Sequence, residues 1–490
     1  MKFNNIHKYT IIAGSLAIST TLITGCGTDE TALPDSLTSS TSSSLVRIIH
    51  ASADAPPVDI KLDNAVAVPA LDYPMSTGFV SIEAGTYDVA VDAIVPGGNL
   101  EGVIKVDDIT FAKDQRYTVI AIDDTASISE FVAEESTATP GANEVAISVL
   151  HAATSVQGLN VDVYVTAPGA DITSVDSNFS FDFKGQADAG ALPAAEYQIR
   201  VVANNDRVNP AYDSGTVDLS SFGGQKLLLL AVNTVNSTTK AASPIKLVAY
   251  TDTAQVELVD TRTTSGARVV HLSPDAGTVE VFASSTALGS ASPVELITSF
   301  DYAVTLPGVN NYEPVPAGDY IFDVTKDGSG IGTGYTSPAI TLDTAVEYTA
   351  IAAGYLSTGT PAFDLLPTVD NNRSIVTQAS VKVVHGAPMA GTVDVFVTPA
   401  GQYTKAEVES GMAGAPLLDD FTFGTITDYV PVPPGDYDIR VVTNGGAGTA
   451  EIDVPAFNLA AGSVSTVIAR EPVNGGGTPD DFNLIVLSNQ

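Results

Sequence analysis

The sequence predicts an all-β protein: four tandem antiparallel β-sandwich domains behind an N-terminal signal and a serine-rich tether. Three observations carry this. Four landmarks recur in the same order at a spacing of roughly 110 residues, the size of one domain and too long for a solenoid repeat. After one landmark in every repeat, apolar residues alternate with the period of a half-buried strand, as in Tyr87/Val89/Val91 and Tyr437/Ile439/Val441. Each such strand then meets a turn-rich segment, for example Pro96-Gly97-Gly98-Asn99 or Asp327-Gly328-Ser329-Gly330, which supplies the positive φ angles a hairpin needs. No long amphipathic helix is present; Lys405 to Met412 could form a short one.

Composition bounds the rest. The chain has 490 residues and a net charge of −36, which excludes nucleic acid as a partner because phosphate recognition needs basic surface. A single cysteine excludes an internal disulfide framework and a cysteine-rich zinc site.

Residues 1–25 form the first element. Lys2 and Lys8 precede an apolar run, Tyr9 to Ile23, too short to span a bilayer comfortably but suited to a secretory signal. The run ends in Leu22-Ile23-Thr24-Gly25-Cys26, which resembles a bacterial lipobox. That resemblance implies that Cys26 becomes the acylated mature N-terminus, and two or more acyl chains suffice for stable anchoring. Gly27 rather than Asp after the cysteine points to the outer membrane. Residues 26–44 are the lipidated cysteine and a flexible, serine-rich tether that cannot form a core.

Four repeats follow, at 45–135, 144–251, 266–368 and 380–490. The first landmark is a short apolar run ending in His50, His151, His271 or His385. An acid between apolar residues comes next: Asp59, Asp162, Glu280 or Asp394. A turn then enters Tyr87, Tyr197, Tyr320 or Tyr437, and an Ile/Leu-Ala pair follows at Ile120, Leu230, Ile351 or Ile468. The turn-tyrosine is similar to the tyrosine corner of immunoglobulin-like domains, in which the phenol ties a loop to its strand. These tyrosines are therefore expected in the core, and each repeat is expected to fold alone.

Val46 to Ile60 (VRIIHASADAPPVDI) with Ile82 to Val89 (IEAGTYDV) closely resembles the bacterial family of unknown function numbered 4397. Val269–Val281 and Val383–Phe396 match it well; the second repeat departs, with a longer segment after His151 and Ala195 in place of the turn glycine. The resemblance implies an extracytoplasmic immunoglobulin-like domain and no activity.

The four histidines invite a metal or catalytic reading, but strand alternation argues against a shared ion. His50 shares a face with Ile48 and Val46, whereas Asp59 lies opposite the inward Val58 and Ile60. The expectation is a core-edge histidine satisfied by a loop backbone group. Ser52 and Ser273 near the histidines are replaced by Ala153 and Ala387 elsewhere, and no hydrolase motif or Walker loop is found. Gly330-Ile-Gly332-Thr-Gly334 fills a hairpin slot and leads into no helix. No catalytic, metal or cofactor-binding residue is assigned; the one site residue is Cys26, for lipidation. Tyr164, Phe282 and Phe396 have outward parity, where they either stack on sugars or are covered by a loop or neighbouring domain. Weak calcium binding is entertained where acids gather at the junctions: Asp123, Asp124, Glu130, Glu134, Glu135 and Glu144, then Asp252, Glu257 and Asp260, then Asp370 with Asn371 and Asn372.

The function expected is a non-enzymatic cell-envelope lipoprotein that presents its domains in series as a structural, adhesive or interaction stalk. Its partners would be the membrane, through the lipid, and an envelope protein or glycan. The alternatives are a solute- or glycan-binding lipoprotein and a hydrolase of unrecognised type.

Overall fold

A computed structural model describes residues 42–135, 138–203, 205–357, 359–443, 449–472 and 482–489. The signal, Cys26 and nearly all of the tether lie outside these residues. The described chain is almost all β, in eight separate sheets that make four two-sheet units.

Unit 1 shows the plan with strands β1 (Ser43–His50), β2 (Val58–Leu62), β3 (Ala65–Leu71), β4 (Val80–Glu83), β5 (Gly85–Ala93), β6 (Leu100–Phe111), β7 (Arg116–Ile122) and β8 (Ser129–Glu135). One sheet has the order β4-β1-β7-β8 and the other β3-β2-β5-β6. Val58, Ile60, Val89, Val91 and Ile104 fill the space between them, in line with the alternation read from the sequence.

The pairing is not wholly antiparallel. In each unit the histidine strand runs parallel to the Ile/Leu-Ala strand, and the two landmarks face each other across the ladder. His50 is paired with Ala121, His151 with Ala231, His271 with Ala352 and His385 with Ala469. The register also places a unit's entry beside its exit: Leu45 aligns with Arg116, and Arg116 with Glu135. Unit 2 differs by an extra edge strand, Gln255–Leu258, which crosses the sheet once more.

The tyrosine corners are present in all four units. The phenol of Tyr87 donates to Glu83 O at 2.7 Å, Tyr197 to Pro193 O at 2.8 Å, Tyr320 to Pro316 O at 2.6 Å and Tyr437 to Pro433 O at 2.7 Å. The expected core placement holds for Tyr320, whereas the other three rings are half-buried at the sandwich end. Tyr437→Phe should cost about 1 kcal/mol for the lost hydrogen bond. Tyr320→Ala should cost about 3–5 kcal/mol through its cavity, and Tyr437→Ala distinctly less. Urea denaturation of the three variants checks this order, and equal losses at 320 and 437 would contradict it.

The units are packed in pairs. The outward face of the first sheet in unit 1 carries apolar residues of its own and lies against the matching sheet of unit 2. Ile49, Ile120 and Ile122 meet Leu150, Leu228, Leu230, Val232, Val248 and Tyr250 in a fully buried cluster. Units 3 and 4 repeat the arrangement with Val270, Ile351, Val384, Ile468 and Leu487. Each pair is thus four sheets deep, with its two inner sheets buried on both faces. A fully buried aliphatic side chain contributes about 1.5–3 kcal/mol, so such an interface rivals a sandwich core. The four sandwiches are therefore in contact through these faces, which a lone unit would expose to water.

Candidate functional site

Two of the repeated positions, the histidine and the Ile/Leu-Ala pair beside it, meet at one place: the loop after the histidine strand, at the end of the sandwich. His50 Nε2 lies 3.0 Å from Pro56 O, His271 Nε2 2.9 Å from Gly277 O and His385 Nε2 2.9 Å from Gly391 O. Each carbonyl is six residues beyond its histidine. In units 3 and 4 the turn is made by Gly277 and Gly391, both at φ 67°, a conformation costly to other residues. The other ring nitrogen accepts a backbone N–H: Nδ1 of His271 from Ser273 at 3.2 Å and Nδ1 of His385 from Ala387 at 3.4 Å. Only the neutral ring protonated at Nε2 satisfies both bonds. In unit 2, His151 Nδ1 accepts from Ala153 N at 3.3 Å within the longer loop.

Burial pushes all four imidazoles below their usual pKa, His50 to about 4. An aromatic ring stands against each: Tyr73, Phe183, Tyr302 and Phe423 approach edge-on at 5.6–6.5 Å. These aromatics form a fifth landmark, Leu71-Asp-Tyr73, Phe181-Asp-Phe183, Phe300-Asp-Tyr302 and Phe421-Thr-Phe423, that the sequence reading passed over.

The landmark acids face away from the histidines. Asp59 accepts from Ala70 N at 2.9 Å and Asp394 from Asp420 N at 3.0 Å, and both donors are positive-φ residues at β-bulges. The serines beside the histidines are bonded to a different acid, also unremarked in the sequence. Ser52 Oγ donates to Asp54 and Ser273 Oγ to Asp275, each at 3.2 Å. Asp54 also accepts from Thr125 N at 2.9 Å, and Asp275 from Leu356 N at 2.7 Å and Ser357 N at 2.9 Å. These carboxylates staple the histidine loop to the loop following the Ile-Ala strand. The signal available was Ser-x-Asp at the same offset in repeats 1 and 3; the other two repeats lack it.

The loop and strand also build the joint between units. In unit 1 Arg47 points to the pair interface. It donates to Thr118 Oγ1 at 3.1 Å and to Thr251 O of unit 2 at 3.0 Å, and pairs with Glu135 at 2.6 Å. Arg268, at the same repeat position, bonds Thr349 Oγ1 at 3.1 Å, Ser488 O of unit 4 at 3.1 Å and Asn489 Oδ1 at 2.6 Å. Arg268 and Asp370 are an ion pair at 3.2 Å with both side chains wholly buried. Lys382 of unit 4 approaches the other oxygen of Asp370 at 3.5 Å, and the hydroxyls of Tyr312 and Tyr429 donate to the same carboxylate at 2.8 and 3.1 Å. Burial lowers the Lys382 pKa, and Asp370 opposes that shift. Tyr73 and Tyr302 each reach across their pair, donating at 2.5 Å to Asn233 O and Glu471 O.

The two pairs touch as well. Arg373, in the segment joining units 3 and 4, donates to Ala53 O at 2.8 Å, pairs with Asp72 and lies over the Tyr73 ring of unit 1. Thr238 of unit 2 donates through N and Oγ1 to Glu347 of unit 3, both at 2.8 Å.

Of the outward aromatics, Tyr164 is buried with Ile172 and Val202, and Phe396 with Val408 of the short helix Lys405–Glu409. Phe282 is half-buried. For Tyr164 and Phe396 the covering segment comes from the ring's own unit. Gly330 and Gly332 lie in the turn between Gly318–Lys326 and Tyr335–Thr336, both at positive φ. Most of the described junction acids are engaged by the chain's own groups: Asp123 by Lys184, Asp124 by Thr154, Asp252 by Arg116, Glu257 by Lys246 and Asp260 by Arg262. Among the described residues, the carboxylates that converge, Asp394 with Asp419 and Asp420, lie within unit 4 rather than at a junction. Calcium and magnesium at matched ionic strength are therefore expected to shift the melting temperature equally; a calcium-specific rise would contradict this.

The model of one family, the domain of unknown function DUF4397, matches residues 44–164, 265–396 and 402–490. The chain belongs to this family. The unmatched stretch 165–264 is most of unit 2, which also carries the divergent histidine loop and the extra strand. DUF4397 assigns no activity, and no curated protein matches the chain. Solved structures give slight likenesses. The TIE protein of Bacillus anthracis is 10% identical over 87% of this chain and 68% of its own, with a TM-score of 0.15. Candidate cell-adhesion proteins of Bacteroides fragilis and Bacteroides ovatus are 13% and 12% identical. They cover 45% and 46% of this chain and 86% and 95% of their own, with TM-scores of 0.12 and 0.17. Likenesses this slight carry no argument about function.

Proposed function

We propose that this DUF4397 chain is a non-enzymatic cell-envelope protein, held to the outer membrane by lipid on Cys26, whose four units act as one structural or adhesive body. One observation supports this above the others. The polar side chains repeated through the chain are used internally: the histidines bind loop backbone groups, and Arg47, Arg268, Asp54 and Asp275 join loops and units. Repetition here preserves a joint. Each pair is a double sandwich, and the two pairs are in contact. Among the described residues no helix is long and apolar enough to cross a membrane, so the proposed attachment rests on the N-terminal cysteine. Its partner would be an envelope protein or glycan.

Labelling cells with a radioactive fatty acid tests the anchor. Cys26→Ala should abolish incorporation and move the protein out of the membrane fraction; unchanged labelling and fractionation would overturn the anchor. Affinity capture of envelope proteins and glycans on the immobilised mature chain tests the adhesive role, and failure to retain either class would overturn it.

A further inference from the structure

Unit 4 is hollow where unit 2 is filled. Between its sheets lies a cavity of about 170 Å³ lined by Val393, Val395, Phe421, Ile439, Val441 and Leu484 among others; the same place in unit 2 holds about 20 Å³. Voids larger than a water molecule are few in a protein interior, and leaving them empty costs stability. The register shows how this one is made. Where unit 2 has Ile147, Tyr212, Leu227 and Leu229, unit 4 has Val381, Ile452, Ser465 and Val467 at the equivalent ladder positions. All four are smaller. Changes also run the other way, with Phe457 standing where unit 2 has Val217 and Val486 where it has Ala249, and the space remains.

The lining is almost wholly apolar, and its two polar side chains are tied to the backbone. His385 spends Nε2 on Gly391 O and Nδ1 on Ala387 N, and Thr427 Oγ1 accepts from Val383 N at 2.9 Å. Water gains nothing in such a site, whereas an engineered apolar cavity of about 150 Å³ stays dry and takes up benzene. Two lining residues are also exposed: Leu417, beside the edge strand Leu418–Phe421, and Val430, on the edge strand Val430–Val432. The cavity therefore reaches the surface between the two edge strands.

We infer that unit 4 binds a small uncharged hydrocarbon, a benzene-sized ring or the end of an alkyl chain, entering between these edge strands. This goes beyond the envelope role and does not depend on Cys26. The remaining units hold the body together, and unit 4 adds a binding site.

The test is a titration of the full chain, methyl-labelled at valine and leucine, with benzene and separately with octanoate below its micellar concentration. Saturable shifts of the Val393, Val395 and Leu484 methyls are expected, with those of Val161 and Val163 in unit 2 unmoved. A ring-only response assigns a ring; a response to octanoate assigns a chain end. Val381→Ile with Val467→Leu installs the unit 2 residues, should raise the melting temperature, and should weaken binding at least tenfold. No saturable shift up to the solubility of either probe, or equal binding by the filled variant, would overturn the inference.

Discussion

Asp370→Asn is expected to destabilise the second pair by about 3–5 kcal/mol, among the largest effects a single substitution in this protein can have. Asp370 is wholly buried and is the counter-charge to both Arg268 and Lys382. Removing its charge leaves two cations in a medium that cannot solvate them, together with tyrosine hydroxyls that lose their ionised acceptor. The cost comes from the unpaired charge and not from any large net gain of the ion pair. Replacing all three residues together, Arg268→Met, Asp370→Leu and Lys382→Met, should therefore recover most of the loss, because buried ion groups are often matched or bettered by apolar residues of similar size. Chemical denaturation of the single and triple variants checks both halves. A single variant as stable as the parent would mean that water reaches the joint.

Acid should weaken the whole body before its carboxylates titrate. The His50 imidazole is held at about 4 in the fold, against the ordinary value of 6.5. Between these values the unfolded chain binds the proton and the folded chain does not, so stability rises with pH across this window. Its contribution is present above pH 6.5 and is lost as pH falls towards 4, about 3 kcal/mol from this residue. His151, His271 and His385 are lowered too and act in the same direction. Glu471, which burial raises, opposes them in part. A midpoint of urea denaturation that drops steadily from pH 7 to pH 4.5, with a shallower slope in His50→Gln, is the expected result. Identical midpoints at pH 7 and pH 5 would show that the loop clamp tolerates a charged ring.

The repeats, their β character and the inward histidine were legible because each rests on local pattern. Val46, Ile48 and His50 alternate with the strand period, and the turn before Tyr87 announces the corner whose phenol reaches back to Glu83. The pairing of units was hidden for a physical reason. Ile49, Leu150 and Leu230 are the alternate residues of their strands, and Leu227 to Leu230 is apolar without a break, which signals burial on both faces. What covers the second face is a long-range fact. Sequence can show that a cover is needed but not that the neighbouring unit provides it. The loop staples were missed because Asp54 and Asp275 recur in only two of four repeats, and the cavity because Val381 and Val467 are unremarkable as strand residues. Its size becomes visible only against the filled counterpart.

The position of each unit's ends has a mechanical consequence. Ser43 and Glu135 both lie at one end of unit 1, on strands separated only by β7, and the registers of units 3 and 4 repeat this layout. A load pulling the chain from both directions would arrive at adjacent strand ends and open hydrogen bonds one after another, like a zip, instead of shearing a whole ladder at once. Only unit 2, through Gln255–Leu258, carries the chain to the far side before releasing it. Under tension the body should yield at modest force and pay out length, behaving as a shock absorber more than as a rigid rod.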